Sequence, residues 1–161
     1  MMTIRFGETE EDVIALHRFL CVVAQPVLLA EIDPIESIVE IEDIVYGRSE
    51  TPGVAFMAEI DGELVGALGL IQPRWWYSKR YYFTDRFLFT FPALRNRGIG
   101  ARLLAEAGAL SAQNDCDLVI TGKLKRRNRS SGRGIIFTSP MVIEPEAVPT
   151  MDWEAVEEAV L

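Results

Sequence analysis

A glycine-containing turn between a predicted strand and a predicted helix constrains the fold of this chain more than any other feature. An aromatic, β-favouring stretch covers residues 81–91 and ends at Pro92, and the turn RNRGIGA follows at residues 95–101. Beyond the turn, apolar residues recur at helical spacing: Ile99, Leu103, Leu104, Ala107 and Leu110. Because the first amides of a helix lack intrahelical partners and lie at its positive end, this strand–turn–helix unit predicts an anion-binding site.

The spacing of the glycines excludes two common phosphate-binding motifs. A P-loop needs G-x-x-x-x-G-K-[ST], and the Gly-Lys-Leu sequence at residues 122–124 lacks both the first glycine and the hydroxyl residue. A dinucleotide fingerprint needs a third glycine three positions after the second, where this chain has Leu103. Gly98 and Gly100 nevertheless remove the side chains that would hold a pyrophosphate away from the main chain. The turn is therefore suited to a pyrophosphate, but it is neither a P-loop nor a dinucleotide-binding fingerprint.

A third motif does fit. With Pro92 three residues before Arg95, the string R-x-x-G-x-G-A-x-L-L at residues 95–104 resembles motif A of the GNAT family of N-acetyltransferases. The resemblance implies an α/β (α+β) fold, with a mixed, mostly antiparallel sheet and helices on both faces. It also implies an acetyl-CoA-dependent transferase that acetylates a primary amine of a small molecule or a peptide. The alternative is a non-catalytic acyl-CoA-binding or interaction module on the same fold.

The local signals along the chain agree with the family's element order, β-α-α-β-β-β-α-β. Thr9 and Asp12 form a predicted capping box for the first helix, Asp33 caps the second, and Gly47 ends it. Asn114 is the predicted left-handed stop of the motif helix. Strands are predicted over residues 3–6, 54–60, 63–71, 81–91, 117–121 and 134–137, with a type I′ turn at residues 61–62.

Length and composition predict a single domain. The chain has 161 residues, of which 49% are hydrophobic, so residues 1–161 suffice for one core. The family-like part spans about residues 2–137, and residues 141–161 are a divergent tail in which Trp153, Val156 and Val160 mark a short helix. Since no apolar run is long enough to cross a membrane and no leader sequence opens the chain, we expect a cytoplasmic protein with no membrane partner.

Charge, cysteine and histidine content bear on the partners. The net charge is −8, which makes nucleic acid an unlikely partner, although residues 123–133 are basic and contain no acid. That basic segment suits a local polyanion such as CoA, or it is a solvated loop. Cys21 and Cys116 are expected to be free thiols and His17 to be structural, so no metal site is predicted.

The resemblance assigns residues to the cosubstrate acetyl-CoA. The main chain of Phe89 and Phe91 would pair with the pantetheine arm like an added strand, and an N–H near Phe89 or Thr90 would polarise the thioester carbonyl. Asn128 stands where the family has an asparagine, whereas the tyrosine that often follows it is absent. The residues assigned to the pyrophosphate are those of the turn and the helix start: Arg95, Asn96, Arg97, Gly98, Ile99, Gly100, Ala101 and Arg102.

Asp85 is the candidate general base. Strict alternation along a strand would place it on one face with Phe83, Phe87, Phe89 and Phe91. A carboxylate that is poorly hydrated among aromatic rings is suited to accept a proton near neutral pH. The alternative is a structural carboxylate paired with Arg86 or Arg80, and a bulge in the strand would turn Asp85 to the other face.

Two surface features bear on the acceptor. Glu31, Asp33, Glu36 and Glu40 lie near the start of the second helix, where they would attract a cationic amine or simply form a solvated helix face. The aromatic run Arg74-Trp75-Trp76-Tyr77 has three explanations that stay open, which are an acceptor pocket, a homodimer contact and a structural role.

Overall fold

A computed structural model describes residues 1–24, 31–48, 50–121 and the strand at 135–138. Six strands form one sheet in the order of the sequence: β1 (Met2–Phe6), β2 (Gly53–Ile60), β3 (Glu63–Ile71), β4 (Tyr82–Thr90), β5 (Asp117–Thr121) and β6 (Ile135–Thr138). Strands β1 to β4 pair in antiparallel fashion, whereas β4, β5 and β6 pair in parallel. The predicted mixed, mostly antiparallel sheet is confirmed.

Capping residues fix the first two helices, α1 (Glu10–Val23) and α2 (Pro34–Tyr46). Thr9 Oγ1 accepts from the Asp12 N–H at 3.2 Å and the Asp12 carboxylate accepts from the Thr9 N–H at 3.1 Å, so the predicted capping box is present. Asp33 accepts from two amides at the start of α2, and α2 ends at Gly47 with φ of +61°. The sequence therefore predicted both ends of α2 and the start of α1.

The third helix, α3 (Ile99–Gln113), lies on the opposite face of the sheet from α1 and α2. Along β2, Ala55 and Met57 pack with α1 and α2, whereas Phe56 and Ala58 pack with α3. This alternation divides the apolar residues into two cores with the sheet between them. The prediction of helices on both faces is confirmed.

Turn residues with positive φ separate the elements. The β2–β3 hairpin turns at Asp61 (φ +52°) and Gly62 (φ +83°), as a type I′ turn requires. The predicted left-handed stop at Asn114 is wrong, because Asn114 has φ of −91° and Asp115 has φ of +55°. Asn114 instead donates its side-chain amide to the Leu110 carbonyl and closes the last turn of α3.

A β-bulge interrupts β4 beside β3. Gly69 pairs with Phe87 and Leu70 pairs with Asp85, so Arg86 is the extra residue. Before the bulge, Phe83 lies in the core under α3, whereas after it Phe87 and Phe89 pack toward α1 and α2. The bulge thus changes which side chains share a face of β4.

Candidate functional site

The two central parallel strands diverge and leave an open edge on β4. The pairing of β4 with β5 covers only Tyr82, Phe83 and Thr84, although β4 continues to Thr90. Within the described residues, nothing pairs with the β5 side of β4 beyond Thr84. A cleft therefore begins at residue 85 and widens toward the carboxyl end of β4.

The main-chain groups that face this cleft are those of Leu88 and Thr90. The Phe91 N–H donates to the Val65 carbonyl at 2.8 Å, and the Phe91 carbonyl accepts from the Leu94 N–H at 2.9 Å. Because bonding directions alternate along an antiparallel pair, Phe89 also faces β3, whereas Leu88 and Thr90 face away from it. The main-chain groups of Phe89 and Phe91, which were predicted to pair with a ligand, therefore face β3 instead of the cleft.

At the wide end of the cleft, α3 begins without a side-chain cap. Its N-cap is Gly98, with φ of +79°, and a methyl group on Gly98 would meet no heavy atom within 4 Å. The first amide to donate within the helix is that of Arg102, to the Gly98 carbonyl at 3.0 Å. Hydrogen-bond donors therefore face open space at the positive end of a 15-residue helix.

Two of the amides expected at the pyrophosphate already have partners in the chain. The Arg97 N–H donates to the Leu94 carbonyl at 3.3 Å, and the Arg102 N–H is used within α3. The donors that remain without a partner among the described residues are the N–H groups of Gly98, Ile99, Gly100 and Ala101. Any role of Arg97 and Arg102 at this site must therefore come from their side chains.

Those side chains make the mouth of the cleft cationic. Arg95, Arg97 and Arg102 are all exposed, and no carboxylate in the described part of the chain lies within 4 Å of their guanidinium groups. Asn96, between the first two, adopts φ of +70° in the turn before the helix. Three guanidinium groups beside free amides are suited to several phosphate groups rather than to one.

Asp85 lies at the narrow end of the cleft. It is half-buried, directly follows the last residue that pairs with β5, and lies opposite Leu70 in the register. Leu70 belongs to the core under α3, so Asp85 shares a face with Phe83. The expectation that it also shares a face with Phe87 and Phe89 is wrong, because the extra residue Arg86 reverses the alternation.

Arg86 and Arg80, the two arginines considered as partners of Asp85, each contact another carboxylate. Arg86 donates from Nε to Glu40 Oε1 at 2.6 Å and so ties the bulge to α2. Arg80 lies 3.8 Å from the Asp117 carboxylate at the start of β5. Glu40, one of the acids predicted near the acceptor, is thus fixed beside β4, whereas Glu31, Asp33 and Glu36 lie on the exposed surface at the start of α2.

Three further residues behave as structural groups. His17 Nε2 lies 2.8 Å from Ser37 Oγ and links α1 to α2. Cys21 and Cys116 are free, and burial raises the pKa of the Cys116 thiol. Within the described residues, no group of three or more His, Cys, Asp or Glu side chains could hold a metal ion, and no helix is long and apolar enough to cross a membrane.

Several predicted features lie outside the described residues. These are Asn128, the basic segment at residues 123–133 and the tail at residues 141–161. Leu88, by contrast, is a cleft residue that the sequence analysis missed. The direction in which the Leu88 main-chain groups point follows from the position of the bulge and from the hydrogen-bond partner of the Phe91 N–H. No local sequence pattern predicts either of these features.

A family comparison decides the identity of this strand–turn–helix unit. The sequence model of the acetyltransferase (GNAT) family matches residues 24–130, which is more than half of the chain. The chain belongs to the GNAT acetyltransferase family. The match includes all of β4, the arginine-rich turn and α3, and so covers the cleft. No curated protein matches the sequence.

Solved structures share the GNAT fold at low sequence identity. A GNAT acetyltransferase from Brucella melitensis in complex with acetyl-CoA is 22% identical, with a TM-score of 0.62 over 77% of each chain. One from Staphylococcus aureus is 16% identical, with a TM-score of 0.60 over 81% of this chain and 95% of that one. A ribosomal-protein-alanine N-acetyltransferase from Brucella melitensis biovar Abortus is 14% identical, with a TM-score of 0.59 over 99% and 90%. These likenesses establish the fold.

Proposed function

We propose that this protein transfers the acetyl group of acetyl-CoA to a primary amine of a small molecule or a peptide. One observation carries the proposal: the open edge of β4 leads directly to the uncapped start of α3. The first feature suits an extended amide-containing arm and the second suits a pyrophosphate. The two features together match the shape and chemistry of CoA.

In this proposal, the main chain holds most of the cosubstrate. The N–H groups of residues 98–101 donate to the pyrophosphate. The guanidinium groups of Arg95, Arg97 and Arg102 bind phosphate oxygens at the mouth of the cleft. The main-chain groups of Leu88 and Thr90 pair with the pantetheine arm. Since β4 runs from the bulge to the turn before α3, an arm paired along it brings the thioester to the bulge.

In this proposal, the groups at the narrow end of the cleft carry out the acetyl transfer. The Leu88 N–H, which is the cleft donor nearer the bulge, donates to the thioester carbonyl oxygen, where negative charge develops during attack. Asp85 accepts a proton from the amine, directly or through a water molecule, and the neutral nitrogen attacks the carbonyl carbon. The new C–N bond replaces the C–S bond, and the nitrogen passes its second proton, through water, to the departing CoA thiolate.

The acceptor is proposed to be a cationic amine. Glu40 lies beside the bulge, and Glu31, Asp33 and Glu36 extend the negative potential along the start of α2. Acids at the approach to a cleft raise the local concentration of cations and their association rate. The amine loses its charge only when it reaches the base.

Thiol release from acetyl-CoA tests the proposal against a panel of small primary amines and peptides. We expect cationic amines to accelerate release above the hydrolysis rate, with the acetylated amine detected by mass spectrometry. If acetyl-CoA binds and no amine accelerates thiol release, the non-catalytic acyl-CoA-binding alternative replaces this proposal. If millimolar acetyl-CoA leaves the melting temperature of the folded protein unchanged, neither function holds.

A further inference from the structure

The loop between β3 and β4 carries a row of aromatic rings that the cleft does not use. This aromatic loop, residues 72–81, places Trp75 on Tyr82 with ring centroids 4.0 Å apart and nearly parallel planes. The Tyr77 ring lies 5.6 Å from Trp75 and 5.3 Å, edge to face, from Trp76. The loop thus presents a connected row of rings at the end of the sheet opposite the start of α3.

Main-chain hydrogen bonds hold the aromatic loop in one conformation, although its outer rings are exposed. Trp75 N–H donates to the Arg80 carbonyl at 2.9 Å, and Tyr82 N–H donates to the Pro73 carbonyl at 3.0 Å. Nevertheless, Trp76 is 91% exposed and Tyr77 is 64% exposed. A preformed loop with an exposed indole loses little conformational entropy when it docks, which is a property of interface residues that dominate binding.

The charge of the aromatic loop differs from that of the whole chain. Arg74, Lys79 and Arg80 are exposed, and residues 72–84 contain no acid, although the chain has a net charge of −8. The surface that covers these rings should therefore be apolar and acidic. A symmetric contact between two aromatic loops would instead place cations against cations.

The chain itself presents such a surface on α2. Ile35 is 74% exposed and Val39 is 47% exposed, and their spacing of four residues places them side by side. Glu31 and Glu36 flank them on the surface. Residues 19–47 contain six acids and no lysine or arginine. This α2 patch, formed by Glu31, Ile35, Glu36 and Val39, is complementary to the aromatic loop in both polarity and charge.

The two surfaces lie near opposite ends of α2. The carboxyl end of α2 is near the base of the aromatic loop, because a methyl group on Gly53 would lie 2.9 Å from Ile44 Cα and Gly53 pairs with Ile71. Ile35 lies near the other end of this 13-residue helix, about 14 Å along its axis from Ile44. Two antiparallel α2 helices therefore place each α2 patch next to the partner's loop.

We propose that this protein forms a twofold homodimer in which the aromatic loop of each copy docks on the α2 patch of the other. The same contact then occurs twice around the axis, which closes the assembly as a dimer. Trp76 and Tyr77 cover Ile35 and Val39, while Arg74 and Lys79 face Glu31 and Glu36. The dimer is independent of acetyl transfer, so its test needs no activity.

Charge reversal with sedimentation equilibrium tests this arrangement. One variant is Arg74→Glu/Lys79→Glu and the other is Glu31→Lys/Glu36→Lys. In either variant alone both contacts become repulsive, so we expect a dimer dissociation constant at least about 30-fold higher than wild type. In an equimolar mixture, the heterodimer has one wild-type contact and one with both charges reversed. We therefore expect the mixture to dimerise again.

Matched controls separate this effect from net charge and from folding. Glu63→Lys/Glu106→Lys makes the same change in net charge as Glu31→Lys/Glu36→Lys, at exposed positions outside both surfaces, and should dimerise like wild type. Trp76→Ala should weaken the dimer without lowering the melting temperature of the monomer. A wild-type protein that is monomeric at about 100 µM overturns the proposal. The proposal is also overturned if both charge-reversed variants are folded and their equimolar mixture stays monomeric.

Discussion

Gly98 holds a left-handed conformation at the point where α3 begins and its free amides face the cleft. Because its φ is +79°, a residue other than glycine, asparagine or aspartate would strain the main chain by about 1–2 kcal/mol. The space in front of its Cα is open within the described residues. The backbone therefore favours glycine here, and the absence of a side chain leaves room for the proposed pyrophosphate.

The variant Gly98→Glu should lose CoA binding. Its carboxylate would lie against the pyrophosphate, where repulsion between like charges is costly. The matched control is Gly62→Glu, which has the same positive φ at the β2–β3 turn and lies outside the cleft. Both variants should lose about 1–2 kcal/mol of unfolding free energy. CoA should raise the melting temperature of Gly62→Glu only, and an equal rise in Gly98→Glu would place CoA elsewhere.

Asp85→Asn tests the proposed base. The amide cannot accept the amine proton, so turnover should fall about 10²- to 10⁴-fold while CoA affinity is unchanged. Asp117→Asn, which removes the partner of Arg80, is the structural control and should keep near-normal turnover. A purely structural Asp85 would instead give normal turnover and a lower melting temperature.

Asp12 makes stability depend on pH. It is 6% exposed, accepts from the Glu8 and Thr9 amides, and binds Arg5 at 2.7 Å. The Arg5 contact holds the pKa of this carboxyl far below its usual range. Its contribution to stability is therefore complete above the unfolded pKa of about 3.9 and is lost as the pH falls below it.

Urea unfolding of Asp12→Asn measures that contribution. At pH 7 the variant should lose about 2–4 kcal/mol of unfolding free energy, because the asparagine keeps only one acceptor oxygen, so that either Arg5 or both amides lose their acceptor. The difference from wild type should shrink as the pH falls below about 4. Asp61→Asn, at an exposed ion pair with the amino terminus, should change little. A difference for Asp12→Asn that is constant with pH would contradict this assignment.

Among the elements, the bulged strand β4 is the one that sequence patterns predict least well. Its bounds, Tyr82–Thr90, lie within one residue of the prediction, because aromatic and β-branched residues favour a strand and Pro92 ends it. The faces of its side chains were not predictable. One extra residue, Arg86, accommodates the tie to Glu40 and moves Phe87 and Phe89 to the α1/α2 face. The position of this extra residue depends on packing between elements that are distant in the sequence.

The junction of α2 with β2 gives a test at this scale. A methyl group on Gly53 would lie 2.9 Å from Ile44 Cα and 3.0 Å from the Leu70 carbonyl oxygen, both of them main-chain atoms. Gly53→Ala should therefore cost about 1–3 kcal/mol of unfolding free energy, because neither atom can move aside cheaply. Gly100→Ala, whose methyl group would make an ordinary 3.9 Å contact with Thr90, should lose less than about 1 kcal/mol. Equal losses would show that the junction is not tight.

For the whole molecule, the sequence predicted the family, the element order and the turn that opens the cleft. Each of those depends on local chemistry, such as the cap at Asp33, the turn at Gly62 and the glycines before α3. The orientation of groups inside the cleft depends on strand register, which distant residues set. Of the predicted main-chain groups on β4, those of Thr90 accordingly face the cleft, whereas those of Phe89 and Phe91 face β3.

Amide hydrogen exchange with and without acetyl-CoA tests the central claim most directly, since it reports where the ligand binds. We predict that acetyl-CoA slows exchange at Leu88, Thr90 and residues 98–101 by at least about tenfold. The Phe91 amide, already bonded to Val65, should change little. Binding that leaves the amides of Leu88, Thr90 and residues 98–101 unprotected would contradict the assignment of this cleft to acetyl-CoA.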